Sequence, residues 1–383
     1  MERKSEDYHH DHSDENRKKG PPPKIVKKFE IDSIQILDDK GKTHDGATVP
    51  AISDESLKQA YEQMKFLRLF DTKAVSLQRQ GRMGAYSEFK GQEAIQVGIA
   101  MAMKKEDWLF PTYRDSAAII ARGVPPEYLL RYWSGDEEGQ NFPEGVNVFP
   151  IAIPVASQIP HAVGGAWALK YKGEDAISLV TIGDGGTSKA DFYEGMNLAG
   201  VFNLPVVCII QNNQYAISLP REYQTHTATL AQKGLAFGIE AMQVDGNDLL
   251  GVYFVLSRAV EKARRGDGPT LIEAITYRLG HHTTATGDEP YRSEAEIERW
   301  KHRDPLERLR MFLEQKGIWS QSYESDVDQQ VKQRMDEAVR NFESFPKPRP
   351  EDMFRYTYSQ EPPKLKSQEE TLLGRQSEAQ AAG

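Results

Sequence analysis

The sequence predicts an α/β fold, a parallel sheet with helices on both faces and helical extensions at its N- and C-terminal ends. Two almost wholly apolar runs carry this reading, residues 177–182 and 206–210, each ending in a polar tip: Gly183-Asp184-Gly185 and Asn212-Asn213. Short runs rich in Val and Ile without polar alternation suit strands covered on both faces, and the segment between them has helical character. The alternation continues, with strand character at 241–244, a helix at 248–265 and a further strand at 270–279. Strands joined by a helical crossover run the same way, so their C-terminal tips lie side by side, where open α/β sheets bind ligands. Asp184 offers an anionic oxygen, Asn213 a neutral one and a nearby carbonyl a third, a set that suits magnesium shared with a phosphate. The flanking glycines let a diphosphate approach the backbone.

Composition narrows the class. The chain has 383 residues, and 48 Lys plus Arg against 57 Asp plus Glu give a net charge of -9, which does not favour nucleic acid. The single cysteine, Cys208, lies in the second apolar run and reads as core filler in a reducing compartment. No apolar run approaches the roughly 20 residues of a membrane span, and the N-terminus lacks a signal core. Residues 1–19 carry several acids, unlike a mitochondrial transit peptide, so a cytoplasmic protein is expected.

Residues 1–24 are almost all charged, His or Pro and read as a disordered tail. Within it, His9, His10 and His12 with Asp11 form either a chelating group or a solvated stretch. An α/β domain with helical decorations is expected over 25–345, and a partly disordered extension over 346–383 that frays from about Gln360. After an extended stretch at 34–37, Ser53 caps a long amphipathic helix with Leu57, Ala60, Tyr61, Met64, Leu67 and Phe70 on one face. A second helix is expected at 92–103, with Ile95, Ile99 and Met103 as its stripe. The loop 110–115 places Tyr113 and Arg114 at the start of another helix, where Arg114 suits either a phosphate or a surface salt bridge.

Residues 134–150, rich in Gly, Pro and Asn, read as a long functional loop. Gly164 and Gly165 mark close packing in the helix that follows 153–158. Past the third strand, His281 and His282 stand at a tip facing the same side as Asp184, as site residues or as polar filler. Ser293 with Glu296 forms a capping box, and Asp304, Pro305 and Glu307 repeat it for a helix that Gly317 ends; these helices read as scaffold or subunit contacts.

GDG at one tip and NN at the next, separated by the 26 residues 186–211, resembles the thiamin diphosphate and magnesium motif. The chain is similar to the alpha subunits of the decarboxylating component of 2-oxo acid dehydrogenase complexes, in the pyruvate or branched-chain group. The similarity covers roughly residues 50–345 and includes FPTYRD, EGVNVFP, GDGGTSKADFYEG, QNNQYAIS, VDGND, YRLGHHTTATGD and DPLERLRMFLEQKG. It implies the diphosphate-binding half of a thiamin diphosphate fold, with Asp184, the side chain of Asn213 and the carbonyl of Tyr215 as magnesium ligands. Tyr113 and Arg114 resemble diphosphate contacts, and Gly183, Gly185 and Gly186 the backbone floor. Ile153 and Val155 fall near the cofactor ring region, and His282 resembles the active-site histidine.

The resemblance implies a 2-oxo acid substrate and oxidative decarboxylation with acyl transfer to a lipoyl group. It also implies a beta subunit in an α2β2 assembly and a lipoyl transacylase partner. The glutamate that activates the cofactor in the family sits in a second α/β domain that this chain lacks, so the isolated chain is expected to be inactive. Ser157 and Gln158 fall where branched-chain relatives bind potassium, with Ala152 in place of a serine, and Thr283 falls where mitochondrial relatives carry a regulatory serine. Asp191 and Glu194, three apart on the crossover helix, suit a proton relay, solvation or an interface. Branched-chain or acetoin chemistry and a catalytically silent scaffold subunit are the competing readings.

Overall fold

The two apolar runs form the middle of a six-stranded sheet in a computed structural model that describes residues 28–286, 291–355 and 357–381. His9, His10, Asp11 and His12, considered above as a chelating group, lie outside the described residues. The strands are β1 (Ser33–Ile34), β2 (Trp108–Phe110), β3 (Ser178–Gly183), β4 (Val206–Asn212), β7 (Glu240–Asp245) and β8 (Thr270–Ile275). A separate two-stranded ladder joins β5 (Tyr215–Ala216) to β6 (Leu219–Pro220). The sheet order is β1-β7-β8-β4-β3-β2 with every neighbouring pair parallel, and Ile182 sits opposite Ile210 in the β3–β4 register. β2 escaped the sequence because three residues are too few for a periodic signal. β8 ends at Ile275 rather than 279, because residues 276–279 turn toward the site described below.

Alternation within the runs explains why they carry no polar period. Leu179, Val207, Ile209 and Ile272 point into one core, and Val180, Ile182, Cys208, Ile210 and Leu271 into the other. Both faces are buried, at about 1.5–3 kcal/mol for each large side chain taken from water.

The first core is covered by α1 (Asp54–Arg79), α2 (Glu93–Ala102), α3 (Ser116–Ala121) and α4 (Pro126–Trp133), with α8 (Leu249–Arg264) after β7. The second is covered by α5 (Gln158–Lys172) and α6 (Ala190–Val201), with the single turn α7 (Lys233–Ala236) beside β7. Ser53 caps α1 as expected, its Oγ accepting from Ser56 N at 3.1 Å. Of the two glycines in α5, only Gly165 is packed tightly, since a Cβ there would stand 2.9 Å from Phe110, while Gly164 faces open space.

The C-terminal part adds α9 (Glu294–Lys301), α10 (Pro305–Gln315), α11 (Gln321–Ser344), α12 (Asp352–Arg355) and α13 (Pro363–Ala381). α13 lies in the extension past Gln360: Pro363 opens it, and the Lys, Glu, Gln, Leu and Ala that follow favour helix despite their polarity. Residues 134–150 cover an edge of the sheet. Leu109 N donates to Asn147 O at 3.0 Å, Phe149 N donates to Leu109 O at 2.8 Å, and residues 137–140 form a 3-10 turn. From Ile31 onward the described residues form one compact unit. Among them no helix is long and apolar enough to cross a membrane.

Candidate active site

Beyond the tips of β2, β3 and β4 lies a cavity of about 700 Å3. All eleven residues singled out from the sequence line it: Tyr113, Arg114, Ile153, Val155, Gly183, Asp184, Gly185, Gly186, Asn213, Tyr215 and His282. The tips are held level by a buried polar network that the sequence did not reveal. Asp115, fully buried, accepts from Thr112 N and Oγ1 at 2.6 Å, from Thr181 Oγ1 at 2.5 Å and from Gln211 Nε2 at 2.5 Å. One carboxylate thereby ties β3 and β4 to the loop after β2, and Gln158 Nε2 adds a bond to Thr181 O at 2.7 Å.

Asp184, 2% exposed, follows the last residue of β3. Its Oδ2 accepts from Gln224 Nε2 at 2.7 Å, and among the described residues no cation bridges it. Burial raises its pKa, with the Gln224 bond and the charges of Arg278 and Arg114 acting the other way. Asn213 is buried, with Oδ1 accepting from Tyr215 N at 3.3 Å. Next to it, Gln92 Nε2 is buried at the cavity wall without a partner among the described residues. A Cβ on Gly183 would meet nothing, while one on Gly185 would stand 2.6 Å from Ala216 Cβ, so the turn is open at Gly183 and tight behind it.

The Tyr215 carbonyl is engaged. It accepts from Arg278 at 3.2 Å, which leaves one of its two lone pairs. Arg278 is wholly buried, touches no carboxylate among the described residues, and also donates to Ile217 O at 2.7 Å and to Tyr291 Oη at 2.5 Å. It holds a strained turn, since Gln214 and Ile217 have φ of 74° and 58°, the latter costly for a β-branched residue. Tyr215 Oη donates to Glu296 at 2.9 Å. Ser293 caps α9 as expected, but the Glu296 carboxylate reaches Tyr215 rather than closing the capping box, so α9 supports the site.

Arg114 sits two residues before α3, and its guanidinium, not the helix end, serves the cavity. At 6% exposure and with no carboxylate in contact among the described residues, it is not a surface salt bridge. It donates to Glu88 O at 2.5 Å, to His282 O at 2.9 Å and to His282 Nδ1 at 3.1 Å. A guanidinium cannot accept, so Nδ1 is the acceptor and the proton of neutral His282 lies on Nε2. Burial, then the charges of Arg114 and Arg278, push the His282 pKa down to about 3.

Of the other candidates, Ala152, Gln158 and Thr283 line the cavity, while Ser157, Asp191, Glu194 and His281 do not. Asp191 and Glu194 lie on α6, and His281 N donates to Glu88 Oε1 at 3.2 Å. Ser157 Oγ donates to Pro154 O at 2.8 Å and so is satisfied within the chain, as is Gln158. Thr283 lines the cavity beside His282.

A parallel sheet whose adjacent tips present a carboxylate, an amide and bare glycine backbone, faced by an arginine and a histidine, defines an α/β protein with a candidate site for an anion and a cation. The chain belongs to the dehydrogenase E1 component family, whose model matches residues 61–351. It is 42% identical over 352 residues to a protein of Staphylococcus aureus (strain MW2) named pyruvate dehydrogenase E1 component subunit alpha, covering 91% of this chain and 94% of the relative. Relatives with the same name are 40% identical in Bacillus subtilis (strain 168), over 90% of this chain and 93% of the relative, and 39% identical in Bacillus cereus, over 91% and 94%.

Proposed function

We propose that the chain is the alpha subunit of a pyruvate dehydrogenase of the acetyl-transferring kind, which decarboxylates a 2-oxo acid oxidatively and passes the acyl group to a lipoyl group on a transacylase. The observation that carries this reading is the meeting of all eleven candidate residues in one cavity at the strand tips. Its cofactors are thiamin diphosphate and Mg2+. The residues fit them: among the described residues Asp184 lacks a cation and Gln92 Nε2 an acceptor, and Gly183 leaves room for a ligand at the backbone. Asp184, Asn213 and the free lone pair of the Tyr215 carbonyl supply three oxygen ligands for the metal. Tyr113, Arg114 and the backbone of Gly183, Gly185 and Gly186 hold the diphosphate, and Ile153 and Val155 border the ring region.

The thiazolium ring, when bound, supplies the carbanion and the electron sink for decarboxylation. The chain supplies placement and charge. Arg114 fixes the His282 ring through Nδ1, so neutral His282 presents Nε2–H as a hydrogen-bond donor to charge developing on an oxygen during acyl transfer. A neutral imidazole is suited to donation rather than to carrying a full charge next to two guanidinium groups.

The site is half of an active centre, and a beta subunit completes it in an α2β2 assembly. Ile153 and Val155 line the cavity yet are 54% and 44% exposed. Trp167 and Tyr171 on α5 and Val201 on α6 are exposed as well, apolar side chains that an interface would cover. Co-expression with the beta subunit, followed by reduction of an artificial electron acceptor with pyruvate, 3-methyl-2-oxobutanoate and acetoin in parallel, tests the reading. Cofactor-dependent turnover fastest with pyruvate is expected. Turnover by the isolated chain sinks the two-subunit site, and turnover indifferent to thiamin diphosphate sinks the whole reading.

A further inference from the structure

Asp71 lies on α1, 1% exposed and outside the cavity wall, with no cation touching its carboxylate among the described residues. Its Oδ1 accepts from Tyr86 Oη at 2.8 Å and Phe89 N at 3.1 Å, and its Oδ2 from Lys90 N at 3.2 Å. Three donors from residues 86–90 thus converge on one buried carboxylate. The same five residues hold the histidine loop along its length. Thr284 N donates to Tyr86 O at 2.9 Å, Tyr86 N to Thr284 Oγ1 at 2.9 Å, His281 N to Glu88 Oε1, and Leu279 N to Lys90 O at 3.1 Å. Glu88 O also receives Arg114.

We propose that Asp71 is a positioning residue for the active site: its carboxylate gathers residues 86–90 onto α1, and that segment in turn fixes the Arg114 guanidinium and the loop carrying His282. The proposal rests on the roles given above to Arg114 and His282. It explains why a carboxylate is kept in the core at all. Two backbone N–H groups and a phenol need three acceptor positions at one point, and only an ionised carboxylate offers them without presenting a donor of its own. A buried carboxylate without a counter-ion is otherwise costly.

Burial, with Glu88 and Glu93 adding to it against the bonds from Phe89 and Tyr86, pushes the Asp71 pKa up to about 7. The groups around it are Tyr86, Glu88 and Lys90 on the segment and Glu93 on α2, the last paired with Arg68 of α1. A raised carboxyl is ionised only above about 7, so positioning strengthens as pH rises through that value. Its contribution to stability has the opposite sign, being present below the ordinary carboxylate range and lost as pH rises through 7. Asp71→Asn therefore separates the two roles.

The test uses the full chain co-expressed with its beta subunit, in wild-type, Asp71→Asn and Tyr86→Phe forms. Asp71→Asn is expected to keep a wild-type melting temperature at pH 8, to lose on the order of 100-fold in kcat, and to lose the acid limb near pH 7 in its pH profile. Tyr86→Phe keeps the ring and removes one donor, and is expected to lose roughly tenfold in kcat. Hydrogen exchange at His281 and Thr284 is expected to accelerate in Asp71→Asn. Wild-type kcat and pH profile in both variants overturn the proposal, as does unchanged exchange at His281 and Thr284. If Asp71→Asn does not fold, Tyr86→Phe with wild-type kcat and exchange overturns it. Exchange needs neither cofactor nor turnover, so it decides the proposal even where the wild-type complex fails to bind thiamin diphosphate and the functional reading falls.

Discussion

Two strand tips on the same side of the sheet carry an Asp-Gly pair, and their fates are opposite. At the tip of β7, Asp245 Oδ2 accepts from Arg303 at 2.8 Å and Arg308 at 2.9 Å, and its Oδ1 accepts from Asn247 N. Asp248 takes Ile36 N and Leu37 N on one oxygen and caps α8 with the other. Asn247 Oδ1 receives Thr276 Oγ1 at 2.7 Å, and a Cβ on Gly246 would stand 2.9 Å from the Ile275 carbonyl. At the tip of β3, Asp184 has no arginine in contact among the described residues; Gly185 is as tight as Gly246, but Gly183 ahead of the aspartate faces open space. Saturation makes the first tip a rivet between β1, α8 and α10. Incomplete satisfaction makes the second a candidate site, because a buried polar group without a full set of partners is kept only where something else supplies them.

Breaking the two tips should therefore have effects of opposite kind. Asp184→Ala removes the proposed metal ligand and a group that burial penalises. Calorimetry of the co-expressed complex with thiamin diphosphate and Mg2+ should find affinity reduced by more than roughly 100-fold, the upper range for losing even an indirect metal partner. The melting temperature of the apo complex should stay level or rise, since the raised pKa marks an unfavourable buried carboxylate. A matching fall in melting temperature would make Asp184 a second rivet.

Arg308→Met is the mirror experiment. Arg308 is 1% exposed and links Asp245 to Asp39, so truncation removes one of two arginines from a buried carboxylate and leaves Arg303, at a cost below the about 3–5 kcal/mol of a fully orphaned buried charge. Denaturant unfolding should register that loss while the folded fraction binds the cofactor as wild type does. Weakened binding in the folded fraction would show that the two tips are coupled through β8.

How much of this contrast was legible beforehand follows from which interactions are local. The strands β3, β4 and β8 announced themselves because burial on both faces removes polar alternation, and the cavity residues because GDG and NN stand at consecutive tips. VDGND and GDG look alike as text. What separates them is whether Arg303 and Arg308, some sixty residues on, reach one and not the other. Arg278, Asp115 and Asp71 were passed over for the same reason, each acting through partners remote in sequence. Glu296 was misassigned because a capping box and a long-range acceptor present the same Ser-x-x-Glu spacing.

The smallest effect sharpens the comparison from the side of the histidine. Rivet and site both hold arginines against a neighbour, but at the rivet the neighbour is a carboxylate and at the site it is an imidazole that cannot offset the charge. Arg114 lies 3.1 Å from Nδ1, and the wholly buried Arg278 adds a second positive field, so protonating His282 would place three cations together. With the pKa pushed down to about 3, the folded pKa lies below the unfolded value, and neutral His282 persists across the physiological range. Imidazole NMR of the apo complex between pH 5 and 8 should show one histidine that does not titrate, assigned by its loss in His282→Gln. A His282 that titrates near its ordinary value would mean that Arg114 does not hold Nδ1. The imidazole would then be free to act as an acid or base in its own right, and the fixed Nε2–H donor would have to be abandoned.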